Sequence, residues 1–120
     1  MLRNYCFDDI VSIDVIIDPV GKINNEKALE VFLYKSSLNE GTYIKILQLT
    51  FEAEPIFITI IYQDNTYKVQ IDALNTSSPY KRKFAGDKLV VSKEAGRVSY
   101  DLYNGTNFVT NVFWYRERTA

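Results

Sequence analysis

Residues 67–72 read Tyr-Lys-Val-Gln-Ile-Asp, with apolar side chains at the odd positions and polar ones at the even positions. A period of two is typical of a β-strand that buries one face and exposes the other. Similar segments recur from Val11 to Tyr115, with turn-forming residues between them. The pattern predicts an all-β protein. We expect a single compact domain over residues 1–120, with about 7–8 mostly antiparallel strands arranged as a sandwich or a small closed barrel.

Two hairpins can be placed from their turn residues. Asp64-Asn65 lies between strand 67–73 and the apolar run 56–62, and Asn104-Gly105 separates two alternating segments near the end of the chain. Asp, Asn and Gly tolerate the left-handed backbone that tight hairpin turns require. The run 56–62 is nearly all apolar, which is typical of a central strand covered on both faces.

Two other segments are open to more than one interpretation. Residues 25–35 could form a helix that starts at Asn25, but their β-branched and aromatic content favours a strand. Residues 42–54 are typical of one long strand, but their apolar positions change from even to odd after Ile46. A change of phase turns every later side chain to the other face, so we predict a β-bulge or a sharp bend near Ile46-Leu47.

The residues that are missing restrict the chemistry. The sequence contains no histidine and one cysteine, Cys6. These absences exclude Ser-His-Asp and Cys-His catalysis, an intrachain disulfide and a zinc cluster built on cysteines. We expect Cys6 to be a buried thiol, and we interpret Asp14 with Asp18 and Glu52 with Glu54 as solvated strand faces. We therefore predict a protein that is not an enzyme, with no catalytic residues, no metal site and no cofactor.

The hydropathy pattern bears on the compartment. Residues before Asp8-Asp9 lack the apolar core of a signal peptide, and no apolar run approaches the roughly eighteen residues that span a bilayer. We expect a cytoplasmic protein that does not associate with a membrane.

The segment Tyr80-Lys81-Arg82-Lys83-Phe84 is the most suggestive local feature, because it places three consecutive cations between two aromatic rings. We predict that it lies in a polar loop and contacts an acidic protein surface. Cations and rings could also bind phosphates and bases. However, the sequence pI of 5.4 makes a nucleic-acid partner unexpected. The alternative without a binding role is a solvated loop in which the rings of Tyr80 and Phe84 lie at the rim of the core.

Trp114 is the only tryptophan. Alternation sends it to the face opposite Phe113 and Tyr115, so at least one large ring leaves the main face of this strand. We consider Trp114 either as a core side chain or as an exposed anchor for a partner or a sugar ring.

The sequence thus favours a binding module that recognises a protein partner through exposed aromatic rings and the basic 80–84 segment, in an accessory, inhibitor or immunity-type role. Two alternatives stay open. One is a β-barrel that carries a small apolar or amphipathic ligand, and the other is a carbohydrate-binding module.

Overall fold

The computed structural model describes residues 5–117, which fold into one α-helix, nine β-strands and a short 3-10 turn at Phe7–Asp9. The helix α1 spans Glu26–Ser37. The strands are β1 Val15–Ile17, β2 Ile23–Asn24, β3 Thr42–Leu49, β4 Pro55–Gln63, β5 Thr66–Asp72, β6 Lys81–Gly86, β7 Lys88–Glu94, β8 Arg97–Asn104 and β9 Asn107–Arg116.

The strands form two sheets. Six strands pair in the order β2-β1-β3-β4-β5-β6, and three pair in the order β7-β8-β9. Neighbouring strands are antiparallel except β1 and β3, which run parallel because α1 lies between them in the chain. The prediction of a mostly antiparallel β protein is confirmed. The larger sheet ends at β2 and β6, so no closed barrel forms within residues 5–117.

One hydrophobic core joins the helix and both sheets. Most even-numbered side chains of β3 and β4 are buried on the inner face of the larger sheet, and Ile46 and Ile60 are fully buried. Leu29 and Phe32 of α1 belong to the same cluster, and so do side chains of the smaller sheet, namely Val98, Tyr100, Leu102, Val112, Phe113 and Tyr115. The inner face of the larger sheet is therefore covered partly by the helix and partly by the smaller sheet.

The strand predicted within residues 25–35 is wrong, because this segment is the helix. Its buried residues Leu29, Phe32 and Ser36 recur at helical spacing, while Val31 and Tyr34 are exposed. Of the aromatic and β-branched residues that favoured a strand, Phe32 therefore points into the core and Val31 and Tyr34 point into solvent. Tertiary packing overrides the local strand propensity of the segment. Asn25 does not cap the helix with its side chain, which donates a hydrogen bond to the Asp14 carbonyl at 2.8 Å.

The prediction of a bulge or sharp bend near Ile46-Leu47 is also wrong. β3 pairs with β4 residue by residue, from Thr42 opposite Tyr62 to Leu49 opposite Pro55. The change of phase arises because a polar residue, Gln48, occupies a buried inner position, where its amide donates a hydrogen bond to the Trp114 carbonyl at 3.0 Å. Register shifts occur instead between β8 and β9, at Tyr100/Asp101 and Leu102/Tyr103.

The β4–β5 hairpin forms as predicted, with both Asp64 and Asn65 in the left-handed region. Central strand β4 is covered on both faces, as predicted. Ile60 is buried on the inner face, while Thr59 and Ile61 are buried on the outer face.

The N-terminal segment covers part of that outer face. The Tyr5 N–H donates a hydrogen bond to the Gln63 side chain at 3.2 Å, and the Lys45 ammonium donates one to the Ile10 carbonyl at 3.1 Å. Ile10 is buried, but Cys6 is exposed, so the expectation of a buried thiol is wrong. None of the helices in the described range is long and apolar enough to cross a membrane.

The chain passes from the larger sheet to the smaller one through a single residue, Asp87, between β6 and β7. The Asp87 N–H donates a hydrogen bond to the Tyr103 carbonyl at 3.0 Å. Gly86 permits this close approach, because a Cβ atom there would lie 2.4 Å from the same carbonyl oxygen. β6 and β7 therefore follow one another along the edges of the two sheets.

Candidate functional site

The basic segment is an edge strand, which corrects the loop predicted at Tyr80–Phe84. The Ala73 N–H donates a hydrogen bond to the Tyr80 carbonyl at 2.8 Å and ends the preceding loop. From Lys81 opposite Asp72 to Gly86 opposite Tyr67, the chain then pairs with β5. Composition was misleading here, since a run of cations is typical of loops but also of edge strands, where charge opposes further pairing.

Strand alternation divides the three cations between the two faces of the sheet. Arg82 and Phe84 lie opposite Ile71 and Val69 on the inner face, whereas Lys81 and Lys83 lie on the outer face. The Lys83 ammonium lies 5.6 Å from the centroid of the Phe7 ring, within the range of a cation–π interaction. All three cations are exposed, and none forms an ion pair within residues 5–117.

A groove opens between the larger sheet and β9, next to the β3–β4 turn and to Tyr80 at the end of the β5–β6 loop. Its volume is about 380 Å³, and its floor is apolar, formed by Ile56, Ile58, Ile71 and Val112. A second depression of about 350 Å³ adjoins it, since the two share Ile71, Tyr80 and Asn111, and it extends to Arg82, Phe84 and Thr110. We call the two together the rim groove. It leads from Trp114 at one end to the inner side of β6 at the other.

Two loops frame the rim groove. The β3–β4 turn exposes 82% of Phe51, and the β5–β6 loop ends at Tyr80, which is 39% exposed. Glu54 holds the loops together, because its carboxylate accepts hydrogen bonds from the Ser77 N–H at 2.6 Å and the Ser77 hydroxyl at 3.0 Å. The loops that carry Phe51 and Tyr80 are therefore held together by one charged side chain, that of Glu54.

Trp114 lines the groove but is only half-buried. The Arg97 guanidinium lies 4.2 Å from the centroid of the ring, and Gly21 packs against the Cζ3–Cη2 edge so closely that a Cβ there would lie 2.7 Å from Cζ3. The Arg116 N–H donates a hydrogen bond to the Gly21 carbonyl at 2.7 Å and fixes this contact. A sugar could stack on the covered ring face only after Arg97 had moved.

Three of the four acidic residues that we interpreted as solvated faces, Asp14, Asp18 and Glu54, have structural partners. Asp14 accepts a hydrogen bond from the Lys45 N–H at 3.0 Å, and Asp18 accepts two in the β1–β2 turn, each at 2.9 Å. Glu54 holds Ser77, as described above. No group of three or more acidic or cysteine side chains in the described part of the chain is placed to hold a metal ion.

The smaller sheet buries two tyrosine side chains, Tyr100 and Tyr115. Burial raises the pKa of Tyr100 and raises that of Tyr115 further, and the negative charge of Glu26 at the start of α1 also disfavours both phenolates. The rings of Tyr100 and Phe113 stack at 4.8 Å between centroids. Both tyrosines therefore stay neutral and act as core side chains over the physiological pH range.

Of the candidates from the sequence, Tyr80, Arg82 and Phe84 meet at one end of the rim groove and Trp114 lies at the other, while Lys81 and Lys83 are on the opposite face. Sequence reasoning missed Phe51, which we assigned to a strand. The segment Phe-Glu-Ala-Glu contains none of the usual turn residues, so the one local signal was Pro55, which follows it.

Comparison of the chain with protein-family models, with curated proteins and with solved structures found no match.

Proposed function

We propose that this protein is a non-enzymatic binding module whose β6 edge pairs with an extended, acidic segment of a partner protein. In this proposal the two sheets form an open sandwich, and β6 is its recognition edge. One observation carries the proposal, namely that the basic segment is a free edge strand whose inner side chains, Arg82 and Phe84, line the rim groove.

A free edge strand provides the backbone groups for such recognition. β6 is the last strand of its sheet, so every second residue directs its N–H and C=O away from β5. A peptide that adds to such an edge obtains its affinity from backbone hydrogen bonds and its specificity from alternate side chains.

The side chains of β6 define the chemistry of the partner. On one face, Lys81 and Lys83 favour carboxylates at alternate positions of the added strand. On the other face, Arg82 favours a carboxylate and Phe84 and Tyr80 offer contacts to an apolar side chain that enters the rim groove. An acidic segment with interspersed apolar residues fits both faces.

The other classes of ligand have less support. Three cations on one strand are a small electrostatic footprint for nucleic acid in a chain of net charge −1. The carrier hypothesis depended on a barrel, and the larger sheet is open. The carbohydrate hypothesis depended on an accessible Trp114 ring, which Arg97 covers.

Fluorescence anisotropy with defined probes tests the proposal. The probes are labelled peptides of alternating Glu and Val, of alternating Lys and Val, and of alternating Glu and Gly, together with a single-stranded oligothymidine. We expect the Glu-Val peptide to bind most tightly, and its affinity to fall as salt screens the charges. Because Arg82 and the two lysines lie on different faces, Arg82→Glu and the pair Lys81→Glu/Lys83→Glu should each weaken binding about tenfold or more.

Lys68→Glu is the matched control, since Lys68 is an exposed cation on β5 rather than on the edge. It should change the affinity less than threefold, about 0.6 kcal/mol. Tighter binding of oligothymidine than of the Glu-Val peptide would replace the proposal with nucleic-acid recognition. Equal binding of the acidic and basic peptides, or equal losses in Lys68→Glu and Arg82→Glu, would refute it.

A further inference from the structure

We propose that two copies of this chain associate by antiparallel pairing of β7 with itself, in a register centred on Val91. The surface is separate from β6 and from the rim groove, so this inference does not depend on the proposed function. It assigns an occupant to the β7 edge from the sequence of that edge.

β7 is exposed along nearly its whole length. It is the last strand of the smaller sheet and pairs only with β8. Val90 is 40% exposed and Val91 is 49% exposed, although such residues usually occupy covered positions in sheets. An exposed edge with apolar side chains is a surface on which another strand can pair.

The charges of β7 are complementary to those of a second β7. In a pair centred on Val91, Lys88 of one copy lies opposite Glu94 of the other, and symmetry repeats this ion pair at the far end. Neither residue forms an ion pair within residues 5–117, whereas the neighbouring Lys93 pairs with Glu117 at 3.3 Å. Lys88 and Glu94, which this register pairs, thus have no ion-pair partner in the described part of the chain. Lys93, which the register does not pair with an acidic residue, is already neutralised by Glu117.

The same register places an apolar contact at the centre of the pair. Val91 meets Val91 of the other copy, and Leu89, which packs against the core, flanks it on the same face of the strand. Val90 lies on the opposite face, beside Ser92 of the second copy. A two-fold axis through Val91 therefore gives a closed dimer in which the β7 edges of both copies are paired. No further copy can add through β7.

Sedimentation equilibrium over a wide range of protein concentration tests the proposal. A short edge-to-edge contact is small for an interface, so we expect a weak dimer with a dissociation constant on the order of 0.1 mM. Lys88→Glu and Glu94→Lys each turn two attractive pairs into two repulsive ones, and each should raise that constant about tenfold or more. The double variant Lys88→Glu/Glu94→Lys restores both pairs with reversed polarity and should return it to within about threefold of wild type.

Lys27→Glu on the exposed side of α1 is the control for net charge, and it should leave the dissociation constant unchanged. Amide hydrogen exchange on the wild-type chain adds a test that needs no variant, since β7 amides should exchange more slowly as protein concentration rises. A chain that stays monomeric up to about 1 mM contradicts the proposal. So does a dimer that both single variants leave intact, or one that the double variant fails to restore.

Discussion

Glu54 and Ser77 join the two loops that frame the rim groove, although they lie far apart in sequence. The Glu54 carboxylate accepts hydrogen bonds from both the backbone N–H and the hydroxyl of Ser77, at 2.6 and 3.0 Å. Because hydrogen bonds to a charged acceptor are stronger than neutral ones, this contact holds the β3–β4 turn against the β5–β6 loop. The position of Phe51 relative to Tyr80 depends on it.

Glu54→Ala should destabilise the fold by about 1 kcal/mol, because it removes a charge-assisted contact at a partly exposed site. Glu52, on the same turn, is exposed and makes no hydrogen bond within residues 5–117, so Glu52→Ala should cost less than about 0.5 kcal/mol. Urea unfolding of both variants measures the difference. Equal losses would show that Glu54 does not join the loops.

Gly86→Ala should destabilise the fold by at least about 2 kcal/mol, because the added methyl group would overlap a backbone carbonyl that cannot easily move. The Cβ would lie 2.4 Å from the Tyr103 oxygen. At Gly41 the nearest atom to an added Cβ lies at 3.5 Å, and Gly41→Ala should be nearly neutral. Thermal unfolding followed by circular dichroism compares the two. A neutral Gly86→Ala would show that β6 does not pass this close to β8.

Arg97→Ala should expose the ring of Trp114 and lower stability by about 0.5–1 kcal/mol through loss of the cation–π contact. Since Trp114 is the only tryptophan, its fluorescence reports on this site alone, and its emission should move to longer wavelength. Lys27→Ala on the helix is the control and should leave the spectrum unchanged. An unshifted spectrum for Arg97→Ala would mean that the guanidinium does not cover the ring.

Stability should decline at alkaline pH because Tyr115 must ionise in a buried site. Burial raises its pKa above the ordinary value of 10.0, so the folded state keeps the proton that the unfolded state loses. The contribution of the neutral Tyr115 side chain to the free energy of unfolding is complete below pH 10. It is lost as the pH rises further, toward the raised pKa of the folded state. Tyr115→Phe should flatten this decline in urea-unfolding experiments, whereas Tyr34→Phe on the exposed side of α1 should not. Identical alkaline slopes in wild type and Tyr115→Phe would contradict the burial of this hydroxyl.

The parts of the fold that sequence could predict were those in which local chemistry and burial agree. The Asp64-Asn65 hairpin and the doubly covered strand β4 follow from turn residues and from an unbroken apolar run. The chain from Glu26 to Ser37 could not be assigned correctly, because its aromatic residues divide between core and solvent. Gln48 led to the prediction of a bulge, because a polar residue at an even position suggests a side chain that faces solvent. Its amide is in fact buried and bonded to the Trp114 carbonyl, which a sequence does not show.

The candidate site was found in part for the same reason. Tyr80 and the three cations after it are conspicuous as a run, but their division between two faces requires the pairing of β6 with β5. The rim groove itself brings together Gln48, Ile71 and Val112, which are distant in sequence. No local pattern contains that information.

The central claim is that β6 accepts an added strand, and amide hydrogen exchange by NMR, with and without the Glu-Val peptide, tests it most directly. We expect the amides of β6 that point away from β5 to become protected when the peptide binds, while the exposed helix amides near Lys27 stay unchanged. Peptide binding that protects other strands and leaves residues 81–86 unaltered would contradict the account.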